Sequence, residues 1–196
     1  MRVVQVKCPA CNSPIFMKER DKVFYCDKCN VMHIREGGVP EKIDYEIAEF
    51  NPNVQGERVY MPYWRVYVTL QVRSKSVEGG TMFKLTSWLK GGSDSGNLFV
   101  YIPAAEMDTG TFRRLATMFT GSGPNYRTRL NFGQVKRLPA VMPKSEAPEL
   151  ADFVIVTMEA EQPGVLQKLD YALTVNDTKM VYLPFVMGPQ GPVAAL

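Results

Sequence analysis

From Tyr60 to Val72 apolar and polar positions alternate, with Tyr60, Trp64, Val66, Val68, Leu70 and Val72 on one face and Tyr63, Arg65, Tyr67, Thr69, Gln71 and Arg73 on the other. A period of two marks a long, half-buried strand. Glu78-Gly79-Gly80 then makes a return, Met82 to Leu89 runs back, Gly91 to Asn97 turns, and Leu98 to Ile102 runs forward, so the pattern predicts an antiparallel meander. After it the period changes: Phe112, Leu115, Met118 and Phe119 recur at helical spacing behind a cap at Asp108 or Thr109, and Gly121-Ser122-Gly123-Pro124 ends the helix. That stripe reads as core, because burying one face is what an amphipathic helix ordinarily does. Ser145 to Leu150 begins a second short helix, Phe153 to Ala160 reads as a strand, and Tyr171 to Val175 with Lys179 to Val186 reads as a hairpin around Asn176-Asp177-Thr178. Ahead of the long strand, Ile43, Tyr45 and Ile47 alternate as a short strand closed by Asn51-Pro52-Asn53.

The N-terminal part follows different logic. All four cysteines fall in two pairs, Cys8-Pro9-Ala10-Cys11 and Cys26-Asp27-Lys28-Cys29, with fourteen residues between. Two residues between cysteines allow a tight turn that aims both sulfurs at one ion, and two such knuckles complete a tetrahedron. The position after each pair often needs the left-handed region, and Asn12 and Asn30 are the side chains that tolerate it next best after glycine. Ile15-Phe16-Met17 and Val23-Phe24-Tyr25 flank the charged run Lys18 to Lys22 as two short strands and their turn, and Val31 to Ile34 supplies a third strand.

Over about residues 3 to 36 the chain resembles a zinc ribbon, which makes Cys8, Cys11, Cys26 and Cys29 the ligands of a structural Zn2+. Two other uses of the same sulfurs are a pair of disulfides, disfavoured in a chain that reads as cytoplasmic, and a rubredoxin-like iron site, whose pairs normally lie farther apart with glycines after the knuckles. A site closed by four thiolates leaves no position for water, which argues against catalytic zinc. The one histidine, His33, lies a strand beyond the knuckles and reads as a surface or packing residue.

With 196 residues and 45% hydrophobic content, the expected organisation is α+β: a small zinc ribbon over 1–38, a mainly antiparallel β domain with one or two helices over 39–188, and an exposed tail over 189–196. Gly37 to Lys42 has the composition of a linker. No stretch has the length of a membrane span and the first residues lead directly into a knuckle, so a soluble, cytoplasmic protein is expected. Val59-Tyr60-Met61-Pro62, Val100-Tyr101-Ile102-Pro103 and Val181-Tyr182-Leu183-Pro184 share one pattern and begin 41 and 81 residues apart, as either duplication of a strand unit or chance in common strand composition would leave, with Arg137-Leu138-Pro139-Ala140 a degenerate copy. Because proline cannot donate to a ladder, each copy is expected at a strand edge, start or bulge. With its Tyr-x-Pro-Tyr/Phe segments the chain also resembles, loosely, a group of bacterial zinc-ribbon proteins of unassigned function, which implies an architecture and no activity.

Between Thr109 and Ser145 lie Arg113, Arg114, Arg127, Arg129, Lys136, Arg137 and Lys144 and no acid; +7 there against +3 overall leaves −4 elsewhere. Interleaved with Phe112, Phe119, Tyr126 and Phe132, these are contacts for single-stranded nucleic acid, an acidic protein surface or anionic lipid headgroups, or a solvated face compensated by acids in the fold. No Walker loop, nucleophile elbow or zinc-protease motif occurs, and the carboxylates are scattered. The sequence therefore points to a non-catalytic zinc-binding adaptor or subunit of a larger protein complex. The alternatives are a nucleic-acid-binding protein using the basic 113–144 segment and an iron electron carrier.

Overall fold

The computed structural model describes residues 2–36, 38–78, 94–161, 165–189 and 191–196. In chain order the elements are β1 (Val3–Lys7), β2 (Pro14–Lys18), β3 (Val23–Cys26), β4 (Val31–Arg35), β5 (Pro40–Ile43), β6 (Tyr45–Ile47), β7 (Glu57–Glu78), β8 (Ser95–Pro103), α1 (Thr109–Ser122), β9 (Lys136–Arg137), α2 (Ala147–Ala160), β10 (Val165–Gly188) and β11 (Gly191–Ala194). The pairing is mostly antiparallel, and with two α-helices among the described residues the α+β expectation holds at that level. The expected return at Gly79-Gly80, the strand Met82 to Leu89 and the start of the next turn lie outside the described residues.

β7 and β10 pair antiparallel over almost their whole lengths, from Glu57 opposite Met187 to Glu78 opposite Val165, in the sheet order β11-β10-β7-β8. The alternation read from Tyr60 to Val72 is the pleat of β7. Tyr60, Trp64, Val66, Val68 and Leu70 pack with Met180 and Tyr182 on one face, where Ala151, Val154 and Ile155 of α2 cover them. The opposite face is also buried at one end, where Val59, Met61, Tyr63, Val181, Leu183 and Phe185 meet Leu115 and Phe119 of α1. Phe119 stands edge-on to Tyr63 at 5.3 Å and to Phe185 at 5.9 Å. α1 starts as expected: Asp108 caps it by accepting from Thr111 N at 2.9 Å, and Gly123, at φ 59, closes it by donating to Phe119 O.

Four local expectations are corrected. The supposed hairpin around Asn176-Asp177-Thr178 is one continuous strand with a register shift between Val175 and Asp177, and Asn176 bonds across to Thr69 Oγ1 at 2.8 Å. Polar residues on an exposed face signal a turn locally, but β7 continues opposite them, so the ladder absorbs the extra residue as a bulge. Phe153 to Ala160 is helix, because Ala147, Ala151, Val154, Ile155 and Met158 form one buried face; a short apolar run does not reveal its period without that context. The stretch read as a linker contains β5, which turns at Gly38 (φ 101) and pairs with β4, and the main core runs across it to include Val23, Tyr25, Met32 and Ile34. The stretch read as an exposed tail returns as β11 along β10, and Ala195 is buried.

The Val-Tyr-apolar-Pro copies at 59 and 181 face one another. Val59 pairs with Phe185, Tyr60 with Pro184, Met61 with Leu183, Pro62 with Tyr182 and Tyr63 with Val181, an approximate two-fold centred on Met61 and Leu183. Its outer sides match as well. Tyr60 O accepts from Leu138 N and Pro62 O from Ala104 N, both at 2.8 Å; Tyr182 O accepts from Ala48 N at 3.0 Å and Pro184 O from Ala195 N at 2.9 Å. Neither proline lies at an edge, start or bulge. Outward of Pro62 the neighbour changes from β9, paired at Val59 and Tyr60, to β8, paired from Tyr63; outward of Pro184 it changes from β6, paired through Tyr182, to β11, paired from Phe185. Each missing donor thus falls at a join between two outer strands, where no ladder asks for it. The copy at Val100 ends β8 with its proline.

The helical reading of 153 to 160 has a direct test in urea unfolding. Ile155→Ala, fully buried, is expected to cost about 2–5 kcal/mol. Phe153→Ala, at 50% exposure, should cost less than about 1 kcal/mol. Similar large losses at both positions would place them on one face and overturn the helix.

Candidate functional site

The two knuckles form as their spacing demands. Asn12 N donates to Cys8 O and Asn30 N to Cys26 O, each at 2.8 Å, and Asn12 (φ 59) and Asn30 (φ 53) occupy the left-handed region. One knuckle leads from β1 into β2 and the other joins β3 to β4, and these belong to separate sheets with no ladder between them. The four sulfurs lie within 4.8 Å of one another, with Cys8 to Cys29 at 3.6 Å and Cys11 to Cys26 at 3.5 Å, and all four thiols are free. A tetrahedron of thiolates at the usual zinc–sulfur bond length has an edge of about 3.8 Å, so this set fits a soft divalent ion such as zinc or iron. Val4, Val6, Ile15, Met17 and Phe24 enclose it.

Second contacts surround the sulfurs. The Ser13 hydroxyl, 3.3 Å from Cys11 Sγ, and the Ser13 backbone N–H hold the Cys11 thiol down at about 6. Burial and the neighbouring thiols push Cys29 up to about 12, although the Val31 N–H reaches it. Four sulfurs in one small volume cannot all ionise without a cation, and a bound dication removes that conflict. His33 has a packing role as expected, but inside the protein: it is buried, stacks on Phe24 at 5.2 Å and places Nε2 3.6 Å from Cys8 Sγ. Burial and Lys42 lower its basicity.

The basic segment gathers only in part: Arg129 reaches Gly133, next to the Phe132 ring that Arg137 covers, whereas the remaining basic residues stand on other elements. Arg113 and Arg114 are exposed on α1, with Arg113 Nε bonded to Glu161 at 2.6 Å. Arg127 and Arg129 flank the end of β6, where Glu49 N donates to Arg127 O and Arg129 N to Ile47 O, and Arg129 reaches the Tyr60 hydroxyl. Lys136 and Arg137 form β9; Lys136 lies 3.7 Å from Glu57, and Arg137 sits over Phe132 at 4.7 Å and Tyr25 at 5.3 Å and reaches the Tyr182 hydroxyl. Tyr60 and Tyr182, equivalent under the two-fold, thus each meet an arginine.

Two features escape a reading of the sequence. The first is a groove between the four-cysteine unit and the sheet: a cavity of about 330 Å³ beside Phe16, Asp21, Tyr25 and Arg137 adjoins one of about 640 Å³ reaching Arg2, Arg20 and Glu106, with Lys18, Lys136 and Pro139 common to both. Asp21 pins the two walls together, since its Oδ1 accepts from Val23 N at 3.2 Å and Ala140 N at 2.9 Å while Lys22 N donates to Ala140 O. Burial raises its carboxyl to about 6 against the lowering effect of those bonds. The second is Glu46, which accepts two bonds from Arg65 at 2.8 and 2.9 Å, one from Tyr126 at 2.8 Å and one from Lys179 at 3.0 Å, tying β6, β7, β10 and the stretch after α1 together. Burial opposes ionisation there, but these donors outweigh it and hold the carboxyl at about 2. Charged residues dispersed in sequence signalled neither feature; the run Lys18 to Lys22 reads as an ordinary turn.

Comparison with protein-family models, with curated proteins and with solved structures found no match. No helix among the described residues is long and apolar enough to cross a membrane.

Glu46 and Asp21 give opposite pH dependences. The value for Glu46 is depressed below its ordinary 4.5, so its stabilisation is present above pH about 4.5 and is lost as pH falls through about 2. The value for Asp21 is raised above its ordinary 3.8, so its contribution is complete below that pH and is lost as pH rises through about 6. Melting temperature followed from pH 2 to 8 should therefore lose its acid limb in Glu46→Gln, which also destabilises at neutral pH, whereas Asp21→Asn should remove a decline between pH 4 and 6 and keep the neutral form at least as stable as the parent.

Metal removal is expected to loosen the N-terminal unit, since β1–β2 and β3–β4–β5 share no ladder. Chelation should release one ion per chain, make all four thiols reactive to a thiol reagent and speed proteolysis within residues 2–36; unchanged protection after complete metal removal would show that packing alone holds the unit.

Proposed function

We propose that this chain is a non-catalytic zinc-binding adaptor, or assembly subunit of a larger protein complex, which holds a segment of another protein in the groove between its four-cysteine unit and its sheet. The lining of that groove carries the reading. Phe16, 70% exposed at the mouth, stands on the same face of β2 as Lys18, and along the walls Arg2, Arg20, Lys136 and Arg137 alternate with Glu19, Asp27 and Glu106. An apolar anchor among charges of both signs suits a polypeptide carrying its own apolar and acidic side chains. A phosphate backbone laid there would meet carboxylates along its length, and the rings of Tyr25 and Phe132 that bases would stack on are already covered by Arg137. Arg113 and Arg114, on α1, line neither cavity, which also weighs against a nucleic-acid track.

Zinc is the proposed ion because a closed set of four thiolates provides structure and leaves no place for substrate. Its task is to lock two sheets that have no common ladder, and so to fix one wall of the groove. Free thiols suit a reducing compartment, which supports a cytoplasmic location. Glu46, whose value is displaced, spends both carboxylate oxygens on internal bonds, in keeping with a structural part.

Capture from native lysate on the tagged full chain, at low and high salt, with nuclease treatment and metal analysis of the same sample, tests the reading. Expected are one zinc per chain and a protein partner that resists salt, is lost with Phe16→Asp or Lys18→Glu and is retained with Arg113→Ala on α1. Recovery that ignores the groove substitutions, or that is nuclease-sensitive and salt-labile, overturns it; a coloured, iron-loaded protein would establish the electron carrier instead.

A further inference from the structure

The four sulfurs complete a ligand set without His33, yet the imidazole directs a ring nitrogen at that set, and its placement is over-determined. His33 lies in β4 directly opposite Phe24 of β3; the two rings stack with centroids 5.2 Å apart and planes 21° apart, and His33 is 2% exposed. Stacking and the strand register fix the ring so that Nε2 is 3.6 Å from Cys8 Sγ. Nδ1 is buried and has no partner among the described residues.

A neutral imidazole carries one proton, and the two nitrogens offer it very different surroundings. On Nδ1 it would be a buried donor with no acceptor, and Nε2 would turn a lone pair toward an electron-rich sulfur. On Nε2 it becomes an N–H directed at that sulfur, and only an unused acceptor is left behind, the less costly of the two vacancies. We propose that His33 is a positioning residue of the thiolate centre, with Nε2–H donating to Cys8 Sγ. The proposal rests on the metal reading of the four sulfurs and is independent of what occupies the groove.

The chemistry gives the bond a purpose. A dication held by four thiolates leaves a net charge of −2 in an enclosed site, and N–H donors at the sulfurs spread that charge, weaken each thiolate as a nucleophile and hold it at its coordinating angle. Cys11 has the Ser13 hydroxyl and N–H for this, and Cys29 has the Val31 N–H. Cys8, 2% exposed, is served by the ring instead.

The full-length chain loaded with cobalt(II), and separately with cadmium-113, provides the test. His33→Phe keeps the stack on Phe24 and removes the donor; His33→Gln restores an N–H at about the reach of Nε2. Expected for His33→Phe are a sulfur-to-cobalt charge-transfer band moved to lower energy, metal affinity lower by about tenfold in chelator competition, and Cys8 becoming the first cysteine alkylated by iodoacetamide, with His33→Gln returning all three readings toward the parent. A band, affinity and alkylation order unchanged in His33→Phe would reduce His33 to packing. If His33→Phe does not fold, the imidazole nitrogen-15 spectrum of the unmodified cadmium-loaded protein decides: a proton on Nε2 coupled to cadmium through Cys8 supports the bond, and a proton on Nδ1 overturns it. Failure of the parent chain to bind either ion would overturn the metal reading and this proposal with it.

Discussion

Around their prolines, β7 and β10 are buried on both faces and bordered on both edges, so every backbone polar group there must find its partner inside the protein. The ladder between the two strands meets half of this demand. The other half falls on four short outer strands, two parallel and two antiparallel, placed in matching positions about Met61 and Leu183. Proline tolerates this setting only where its nitrogen faces a join between neighbours, and Pro62 and Pro184 each face one. The carbonyls on either side of those joins are met by Ala48, Leu138, Ala104 and Ala195, residues from four remote parts of the chain. Much of the course of the chain follows from this: β6, β9 and β11 are brought to the sheet because open carbonyls await them.

The four-cysteine unit is attached to the sheet more firmly than its size implies. Tyr25 packs edge-on to Phe132 at 5.0 Å, which in turn packs on Tyr60 at 5.4 Å and Tyr182 at 4.8 Å, so one line of rings runs from the four-cysteine unit to the centre of the ladder. Arg137 lies over the first two of those rings, and Asp21 bonds the facing backbones together. The groove lies along this seam. Its shape depends on both units staying in register, and a metal that stiffens one of them has consequences for what the groove can hold.

Two carboxyl groups show how this protein uses charge in its own structure. Glu46 collects four hydrogen bonds from Arg65, Tyr126 and Lys179 and stays ionised despite partial burial, whereas Asp21, bonded to two amides with Arg137 and Lys18 nearby, is held as a marginal acid. Asp21 is also the more deeply buried of the two, so depth and donor set act together in deciding the state of each carboxyl. Arg65 and Arg137 behave likewise, one clamped to a carboxylate and the other laid on aromatic faces. The charges left along the groove are of both signs.

What the amino-acid sequence determined by itself was local. Two residues between cysteines, and an asparagine after each pair, dictate a knuckle whatever lies beyond, because the turn closes within five residues; a period of two over Tyr60 to Val72 and a helical stripe behind Asp108 are decided by their own spacing. Tertiary structure decided the elements whose partners are remote. Phe153 to Ala160 is apolar enough for either period and became a helix because the sheet offered one face to cover; Asn176-Asp177-Thr178 became a bulge because β7 continued past it; and residues that looked like linker and tail became strands because edges of other strands stood open beside them. The groove, the Glu46 cluster and the approach of His33 to Cys8 join residues from 19 to 133 positions apart, and no local pattern encodes such distances, since they are set by which surfaces come together once the ladder has formed.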